Sequence, residues 1–282
     1  MNLAAVLIVL WAVVGQSSDR SAQENQDVAK TGSGVPSNLH AAAKSLDRLK
    51  RAAGRYRIVV GSDTPHELVV EAEPVLSWTN PLRRTFAGAT FVWVADGRPE
   101  VVGSFFRYTE DDRIVEDDEF QSLATTSVTA KRSDQQVWAP RVAGMVLAPI
   151  PGAPKPAATP SERLRQMHAM ASEFHAFLDT DKDKTELRLL PKPLYRYRTN
   201  QPNLPDGALF AFVLTTDPEV LLAIEARPVD GEVVWHYGFA RMSMVNLRAR
   251  HKDRDVWRVD WAVAFQDPNE PYVTLRVADR PD

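Results

Sequence analysis

Gly88-Ala89-Thr90-Phe91-Val92-Trp93-Val94 runs into a turn at residues 95–98 and then into Pro99-Glu100-Val101-Val102. The same pattern returns 119 positions later, as Gly207-Ala208-Leu209-Phe210-Ala211-Phe212-Val213, a turn and Pro218-Glu219-Val220-Leu221. Apolar runs on either side of a short turn predict a β-hairpin. Two such hairpins at a fixed separation predict an internal duplication.

An amphipathic helix pattern precedes each hairpin. Apolar residues alternate at spacings of three and four, first from Leu39 to Tyr56 and again from Leu164 to Leu178. Strand-like runs surround both hairpins, and short turns between consecutive strands make them antiparallel. We therefore predict an α+β fold, with two tandem pseudo-symmetric copies of one helix followed by an antiparallel meander of about six strands.

The hairpin strands are apolar on both faces, since Phe210 and Phe212 alternate with Leu209, Ala211 and Val213. A sheet with one wet face would alternate apolar with polar residues. We therefore expect the two halves to pack together about a pseudo-twofold axis. Repeat 1 is predicted over residues 36–149 and repeat 2 over residues 160–282. The proline-rich residues 150–159 are predicted to link them.

The N-terminus has the pattern of a secretory signal peptide. An apolar run over residues 3–14 is too short to span a bilayer comfortably, and small and polar residues follow it. We predict a signal peptide over residues 1–15, a disordered polar tether over residues 16–35, and export to the periplasm or beyond the cell. No stable membrane span is expected after cleavage. An uncleaved anchor or a buried first strand is the alternative.

Composition excludes several classes of function. The formal net charge is −3 over 282 residues, which leaves no basic surface typical of nucleic-acid binding. The chain contains no cysteine, so disulfides, thiolate nucleophiles and cysteine-ligated metals are excluded. No cofactor-binding fingerprint is present.

Several segments of the second half carry a resemblance. They are Pro193-Leu194-Tyr195-Arg196-Tyr197, residues 206–213, Asp217-Pro218-Glu219-Val220-Leu221-Leu222 and Glu225-Ala226-Arg227. With them the chain resembles a group of uncharacterised exported proteins of planctomycete-type bacteria. The resemblance implies export, and it implies no activity, cofactor or catalytic residue.

Two sets of residues are candidates for a ligand site. The aromatic residues of the predicted strands offer a lining for a sugar, peptide or lipid; they are Trp78, Trp93, Tyr195, Tyr197 and Phe212. Glu100 and Glu219 occupy matched positions after the two turns, where a paired acid and base would sit at the seam between halves. Core packing is the alternative for the aromatics, and solvent-facing turn positions for the glutamates.

Metal sites are weakly indicated. Asp179, Asp181 and Asp183 alternate like the first ligands of a calcium loop, but the glycine and glutamate that complete the motif are missing. The acidic residues of 110–119 favour a solvated loop over a calcium site. His168 and His175 lie seven residues apart on the predicted helix, about two turns, which is too far to share one zinc ion easily. No metal is assigned.

Trp138 and Trp257 each follow a valine and open a late strand. We predict that both are structural anchors in a core and that neither is catalytic.

The sequence is compatible with three functions. The preferred one is an exported non-catalytic module that binds a partner protein or small ligand through its sheets or at the seam between repeats. The alternatives are a hydrolase-type enzyme with a carboxylate or histidine site at that seam, and a structural component of the envelope. A binding module should expose an aromatic patch, whereas an enzyme should show a pocket with converging polar groups.

Overall fold

A computed structural model describes residues 37–179, 184–197, 199 and 204–277. The predicted signal peptide (1–15) and tether (16–35) lie outside the described residues and stay predictions. The described residues belong to one compact unit. Its described part contains two α-helices, nineteen strands and a short 3-10 helix at Pro81–Arg83.

The elements up to the proline-rich segment are α1 (Ser37–Ala53), β1 (Tyr56–Val60), β2 (His66–Glu67), β3 (Val69–Val70), β4 (Leu76–Asn80), β5 (Thr85–Ala95), β6 (Arg98–Glu110), β7 (Arg113–Ser122), β8 (Val128–Arg132), β9 (Gln135–Trp138) and β10 (Ala148–Pro149). After it come α2 (Pro160–Ala171), β11 (Phe174–Asp179), β12 (Lys184–Leu189), β13 (Tyr195–Arg196), β14 (Asp206–Leu214), β15 (Asp217–Val229), β16 (Glu232–Arg241), β17 (Leu247–His251), β18 (Arg254–Val259) and β19 (Tyr272–Val277).

Both predicted hairpins are present, and the predicted antiparallel pairing is confirmed. β5 pairs with β6, and β14 pairs with β15. Each hairpin has a register shift just before its turn, between Trp93 and Val94 and between Phe212 and Val213. Such bulges increase the local twist of the strands and help a sheet to curl.

The predicted fold class is wrong. The chain is mostly β, with 54% of residues in strands and 12% in helices, and its curled sheets do not form two copies of a helix followed by a meander. Strands β2-β1-β8-β9 form one sheet, and β19-β7-β6-β5-β3 form a second, to which β4 adds by pairing with β5. The third sheet runs β10-β16-β15-β14-β12-β11-β17-β18, with β13 paired to β14.

Two features of the chain explain this error. The spacing of three and four continues beyond each helix, because Tyr56 and Phe174 continue the apolar stripe but begin strands β1 and β11. Two strands also join sheets built by the other half of the chain. β10, from the first half, pairs with β16, and β19, at the end of the second half, pairs with β7. Local periodicity carries no information about such crossings, which depend on long-range pairing.

Three apolar cores hold the sheets together. One lies under α1, with Phe105, Phe120 and Trp138 at its centre, and one lies under α2, with Phe210 and Phe239. The third lies between the hairpins. It includes residues of β5, β6, β14 and β15, among them Val92, Val102, Leu209, Ala211, Leu221 and Ala223. The β14 strand is therefore covered on both faces, which accounts for its unbroken apolar run.

Within the described residues, neither helix combines the length and apolar character needed to cross a bilayer.

Candidate functional site

The five aromatic candidates are all buried, and four of them are divided among the three cores. Trp93 packs in the core under α1, Phe212 in the core under α2, and Tyr195 and Tyr197 in the core between the hairpins. Trp78 is 5% exposed, and its Nε1 donates to Thr90 Oγ1 at 3.1 Å. The structure therefore does not bring these side chains together in one cleft, and each has a packing role.

Two of these rings fill the space over a glycine in the neighbouring strand. A Cβ atom at Gly88 would lie 2.4 Å from Trp78, and one at Gly207 would lie 2.4 Å from Tyr197. Glycine is required at both positions because no side chain fits between strand and ring. The glycine that opens each predicted hairpin is thus explained by aromatic packing.

Glu100 belongs to a buried ion-pair network built on Arg98. Arg98 Nη1 donates to Glu100 Oε2 at 2.8 Å, and Arg98 Nε donates to Glu225 Oε1 at 3.0 Å. Glu225 also accepts from the Tyr197 hydroxyl at 3.0 Å and from Arg227 Nε at 2.6 Å. Burial raises the pKa of Glu100 and also opposes ionisation of Glu225, but Arg98 and Arg227 hold the pKa of Glu225 below its usual value.

Glu219 belongs to a second network, built on Arg83. Arg83 Nη2 donates to Glu219 Oε2 at 3.1 Å, and Arg83 Nη1 donates to Asp217 Oδ2 at 3.2 Å. Asn80 Nδ2 donates to the same Asp217 oxygen at 2.9 Å. Burial, and next the neighbouring Glu219 carboxylate, raise the pKa of Asp217 to about 7. The two glutamates of the predicted acid–base pair are therefore held in separate networks.

The second network continues to Glu119 and Tyr272. The Tyr272 hydroxyl donates to Glu119 Oε1, and both side chains are buried. Burial raises the pKa of Glu119 well above its ordinary value. The centre of the Tyr272 ring lies 5.3 Å from the guanidinium carbon of Arg241. Tyr272 and Arg241 also line a cavity at the surface.

That cavity, which we call the Trp257 hollow, has a volume of about 380 Å³. Its walls combine four aromatic rings with a guanidinium and an amide, from Phe239, Trp257, Trp261, Tyr272, Arg241 and Gln121. The volume falls at the lower end of small-molecule sites, which are typically apolar with a few polar groups that fix orientation. Sequence reasoning missed this site, because its wall residues come from β7, β16, β18, the segment after β18 and the first residue of β19.

An exposed apolar rim adjoins the hollow. Trp261 is 40% exposed and Val263 is 87% exposed, and both line the cavity. An exposed indole ring offers a large apolar contact area together with an N–H donor, a combination that is enriched at interaction surfaces. Trp261 is thus an exposed aromatic ring beside the hollow.

The polar groups of the hollow have hydrogen-bonding capacity to spare. Gln121 donates from Nε2 to the Ser122 carbonyl at 2.7 Å, and its Oε1 has no partner among the described residues. Arg241 donates to the carbonyls of Ser243, Asp260 and Val245. A guanidinium carries five N–H groups, so two remain for other acceptors.

Trp138 and Trp257 lie in matched ring settings but differ in burial. Trp138 stacks on Phe120 with centroids 5.7 Å apart, and Trp257 stacks on Phe239 at 5.5 Å. Trp138 is fully buried, and its Nε1 donates to the Glu270 carbonyl at 2.8 Å. Trp257 is half-buried and lines the hollow, and its Nε1 has no partner within the part of the chain that the structure describes.

The histidine candidates do not share a helix. His168 lies on α2, whereas His175 lies on strand β11 and forms an exposed pair with Glu186, 2.7 Å from Nδ1 to Oε1. His175 and Glu186 line a shallow depression of about 510 Å³, together with Phe174, Arg188 and Phe212. This depression is open to solvent. His175 and Glu186 pair with each other, and Arg188 Nη2 donates to the Thr215 carbonyl at 3.0 Å.

The acidic candidates also differ from expectation. Residues Glu116–Glu119 lie on β7 and are buried, rather than on a solvated loop. Asp181 and Asp183 lie outside the described residues, so that loop stays a prediction. In the described ranges, no group of three or more histidine or acidic side chains has a geometry that could hold a metal ion.

Comparisons of the chain with protein-family models, with curated proteins and with solved structures found no match. The function is therefore argued from the geometry of the site.

Proposed function

We propose that this chain is an exported, non-catalytic binding module and that the Trp257 hollow receives its ligand. The observation that carries the proposal is the pair of accessible indole rings, Trp257 and Trp261, beside the spare hydrogen-bonding groups of Gln121 and Arg241. Rings supply contact area at low conformational cost, and a few polar groups give orientation. A partner segment or a small ligand of about the volume of the hollow fits this arrangement.

The remainder of the candidate residues support a binding role over a catalytic one. Glu100 forms an ion pair with the buried Arg98, Glu219 forms one with Arg83, and neither glutamate lines the hollow. Export is supported by the signal-peptide pattern of residues 1–15. N-terminal sequencing of the exported protein tests this part, and we expect the mature chain to begin after Gly15.

Site-specific photo-crosslinking tests the binding role. A photoreactive amino acid placed at Val263, on the rim, should capture the ligand in extract from the producing cells. Ile114 is 60% exposed and lies outside the hollow, so the same probe at residue 114 is the matched control. We expect an adduct at 263, mapped by mass spectrometry, that disappears in Trp261→Ala.

Equal adducts at both probe positions, or an adduct at 263 that persists in Trp261→Ala, would overturn the proposal. The Trp261 ring is 40% exposed, so the alanine variant should fold normally, and its melting temperature verifies this.

A further inference from the structure

We propose that the ligand of the Trp257 hollow is an uncharged carbohydrate chain. This inference rests on the proposed function and names the class of ligand that the binding module takes. Three properties of the hollow carry it. The charges in its walls balance, its free polar groups combine hydrogen-bond donors with acceptors, and two indole rings line it.

The charged groups of the hollow balance each other. Among the described residues that line it, only Arg241 and Glu270 are charged, and they carry opposite signs. Burial lowers the pKa of Arg241, and the neighbouring carboxyl groups of Glu119 and Asp260 oppose that effect. A wall with one cation and one anion, whose cation already has acidic neighbours, gives no strong attraction to an anionic or a cationic ligand. We therefore expect a ligand without charge.

Gln121 presents a hydrogen-bond acceptor to the hollow. Its Nε2 donates to the Ser122 carbonyl at 2.7 Å and to the Gly144 carbonyl at 3.3 Å. Both partners can only accept, so they hold the NH2 end of the side-chain amide and leave the Oε1 end for another donor. Glu270 adds a second acceptor at the rim, since its side chain is exposed and lines the hollow.

Arg241 and Trp257 supply the donors. Arg241 donates to the carbonyls of Ser243, Asp260 and Val245, which fixes its guanidinium plane and leaves two of its five N–H groups. The Trp257 Nε1–H has no acceptor among the residues that the structure describes. A sugar hydroxyl both donates and accepts, so neighbouring hydroxyls can satisfy both kinds of group. An acyl chain would instead leave these groups desolvated and unpaired, which disfavours a lipid.

The indole rings suit the flat C–H faces of sugar rings. Trp257 stacks on Phe239 with centroids 5.5 Å apart and an interplanar angle of 25°, so one face of the indole is covered and the ring is held in place. Trp261 lines the same cavity and is 40% exposed. Rigid aromatic rings give a large contact area at low conformational cost. Because two indoles line one cavity, we expect linked sugar rings to bind more tightly than a single ring.

A peptide is the competing ligand, and the polar groups of the hollow favour a carbohydrate over it. A peptide strand that extends a sheet binds through backbone N–H and C=O groups of a free edge. The groups available in the hollow belong instead to side chains, those of Gln121, Arg241, Trp257 and Glu270. A short peptide also loses backbone freedom on binding, whereas a sugar ring is already rigid.

The probes are uncharged oligosaccharides, each titrated into the mature protein by calorimetry: cellohexaose, xylohexaose, mannohexaose, maltohexaose and the hexamer of N-acetylglucosamine. We expect at least one of them to bind saturably at one site, and more tightly than its monosaccharide. Raising the ionic strength from about 0.05 M to about 0.5 M should change the Kd by less than about twofold, because no charge is neutralised on binding.

Two variants locate the binding at the hollow. Trp261→Ala removes the exposed ring, and we expect it to weaken binding by about tenfold or more. Trp257→Phe keeps a ring over Phe239 and removes the N–H, and we expect a loss of about tenfold, which corresponds to one hydrogen bond. Ile114→Ala is the matched control, since Ile114 is 60% exposed and does not line the hollow. Trp261→Ala truncates a partly exposed side chain and keeps the test decisive if Trp257→Phe is unstable.

The inference is overturned if none of the hexasaccharides binds saturably at millimolar concentration, if Trp261→Ala binds as tightly as the intact protein, or if the affinity falls steeply with salt. A peptide or a lipid captured at residue 263 in the crosslinking experiment would also overturn the carbohydrate, but it would leave the binding module standing. Absence of any adduct at residue 263, together with absence of saccharide binding, would overturn both. The two failures are therefore distinguishable.

Discussion

Arg98 and Glu225 form a buried ion pair that joins the turn of the first hairpin to the middle of the second. Arg98 Nε lies 3.0 Å from Glu225 Oε1, and the two side chains are 8% and 0% exposed. Arg98 is the first residue of β6, and Glu225 lies within β15. The pair fixes how the two hairpins pack across the core between them, and it is the first target for mutation.

Replacing Arg98 by methionine leaves the Glu225 carboxylate buried with one guanidinium, that of Arg227. Breaking a buried pair in this way typically costs about 3–5 kcal/mol. We expect a clear loss of stability in chemical denaturation. Lys155→Met is the control, because Lys155 pairs with Glu232 on the surface, where both side chains are largely exposed, and the melting temperature should not change. An Arg98→Met protein as stable as the parent would refute the role of the pair.

Gly88→Ala and Gly207→Ala should both destabilise the protein strongly. Each added Cβ would lie 2.4 Å from an aromatic ring that has no room to retreat, and overpacking of this kind costs roughly 1–3 kcal/mol or more. Gly54→Ala is the matched control, since its nearest atom would lie 3.6 Å away. Thermal unfolding of the three variants decides the matter, and a Gly54→Ala protein as unstable as the other two would show that the rings are not the cause.

Asp217 should make stability depend on pH. Its pKa is raised from 3.8 to about 7, mainly by burial and then by Glu219. The folded protein therefore holds a proton that the unfolded chain releases between these values. The contribution of this proton to the free energy of unfolding is fully present below about pH 4. It falls as the pH rises from about 4 to about 7, and it is lost above that range.

Asp217→Asn cannot ionise and should remove this dependence. We expect its melting temperature to equal that of the parent near pH 4 and to exceed it by several degrees at pH 8, because one pKa unit is worth about 1.4 kcal/mol and one kcal/mol moves a domain of this size by roughly 2–4 °C. Melting curves from pH 4 to pH 8 provide the measurement. A parent protein that grows relatively more stable toward pH 8 would contradict the sign of the effect.

Trp138→Ala and Trp257→Ala should now differ, although the sequence predicts the same role for both. Trp138 is fully buried and hydrogen-bonded, so its truncation should cost on the order of 3–5 kcal/mol. Trp257 is half-buried, and we expect a loss of about 1–2 kcal/mol together with loss of ligand capture at residue 263. If both variants lost the same stability and Trp257→Ala still bound the ligand, the role of Trp257 would be purely structural.

The hairpins could be predicted because their signal is local. Phe210, Phe212 and their alternating neighbours lie within a few positions of one another, and burial on both faces produces a pattern that a single run displays. The helix ends could not be placed in the same way. Tyr56 and Phe174 continue the apolar spacing of the helices, and the choice between helix and strand at these positions is made by pairing with β8 and β17.

The networks and the hollow are long-range features. Arg83 and Asp217 are 134 residues apart, and Arg98 and Glu225 are 127 apart. Nothing near Arg83 or Arg98 in the chain distinguishes them from a surface arginine. Glu100 and Glu219 could be chosen as candidates because they occupy matched positions after a turn, but that symmetry does not place them in one site.

The sequence by itself determined the strand pattern of the two hairpins, the apolar faces that must be covered, and the absence of cysteine chemistry. These follow from local composition and from a side-chain period of two. The tertiary structure alone decided which sheets the strands join, which carboxylates meet an arginine, and that Trp257 lines a hollow while Trp138 is covered. Those outcomes depend on β10 and β19 crossing to sheets far along the chain, and no local preference of a residue encodes where a distant strand will pair.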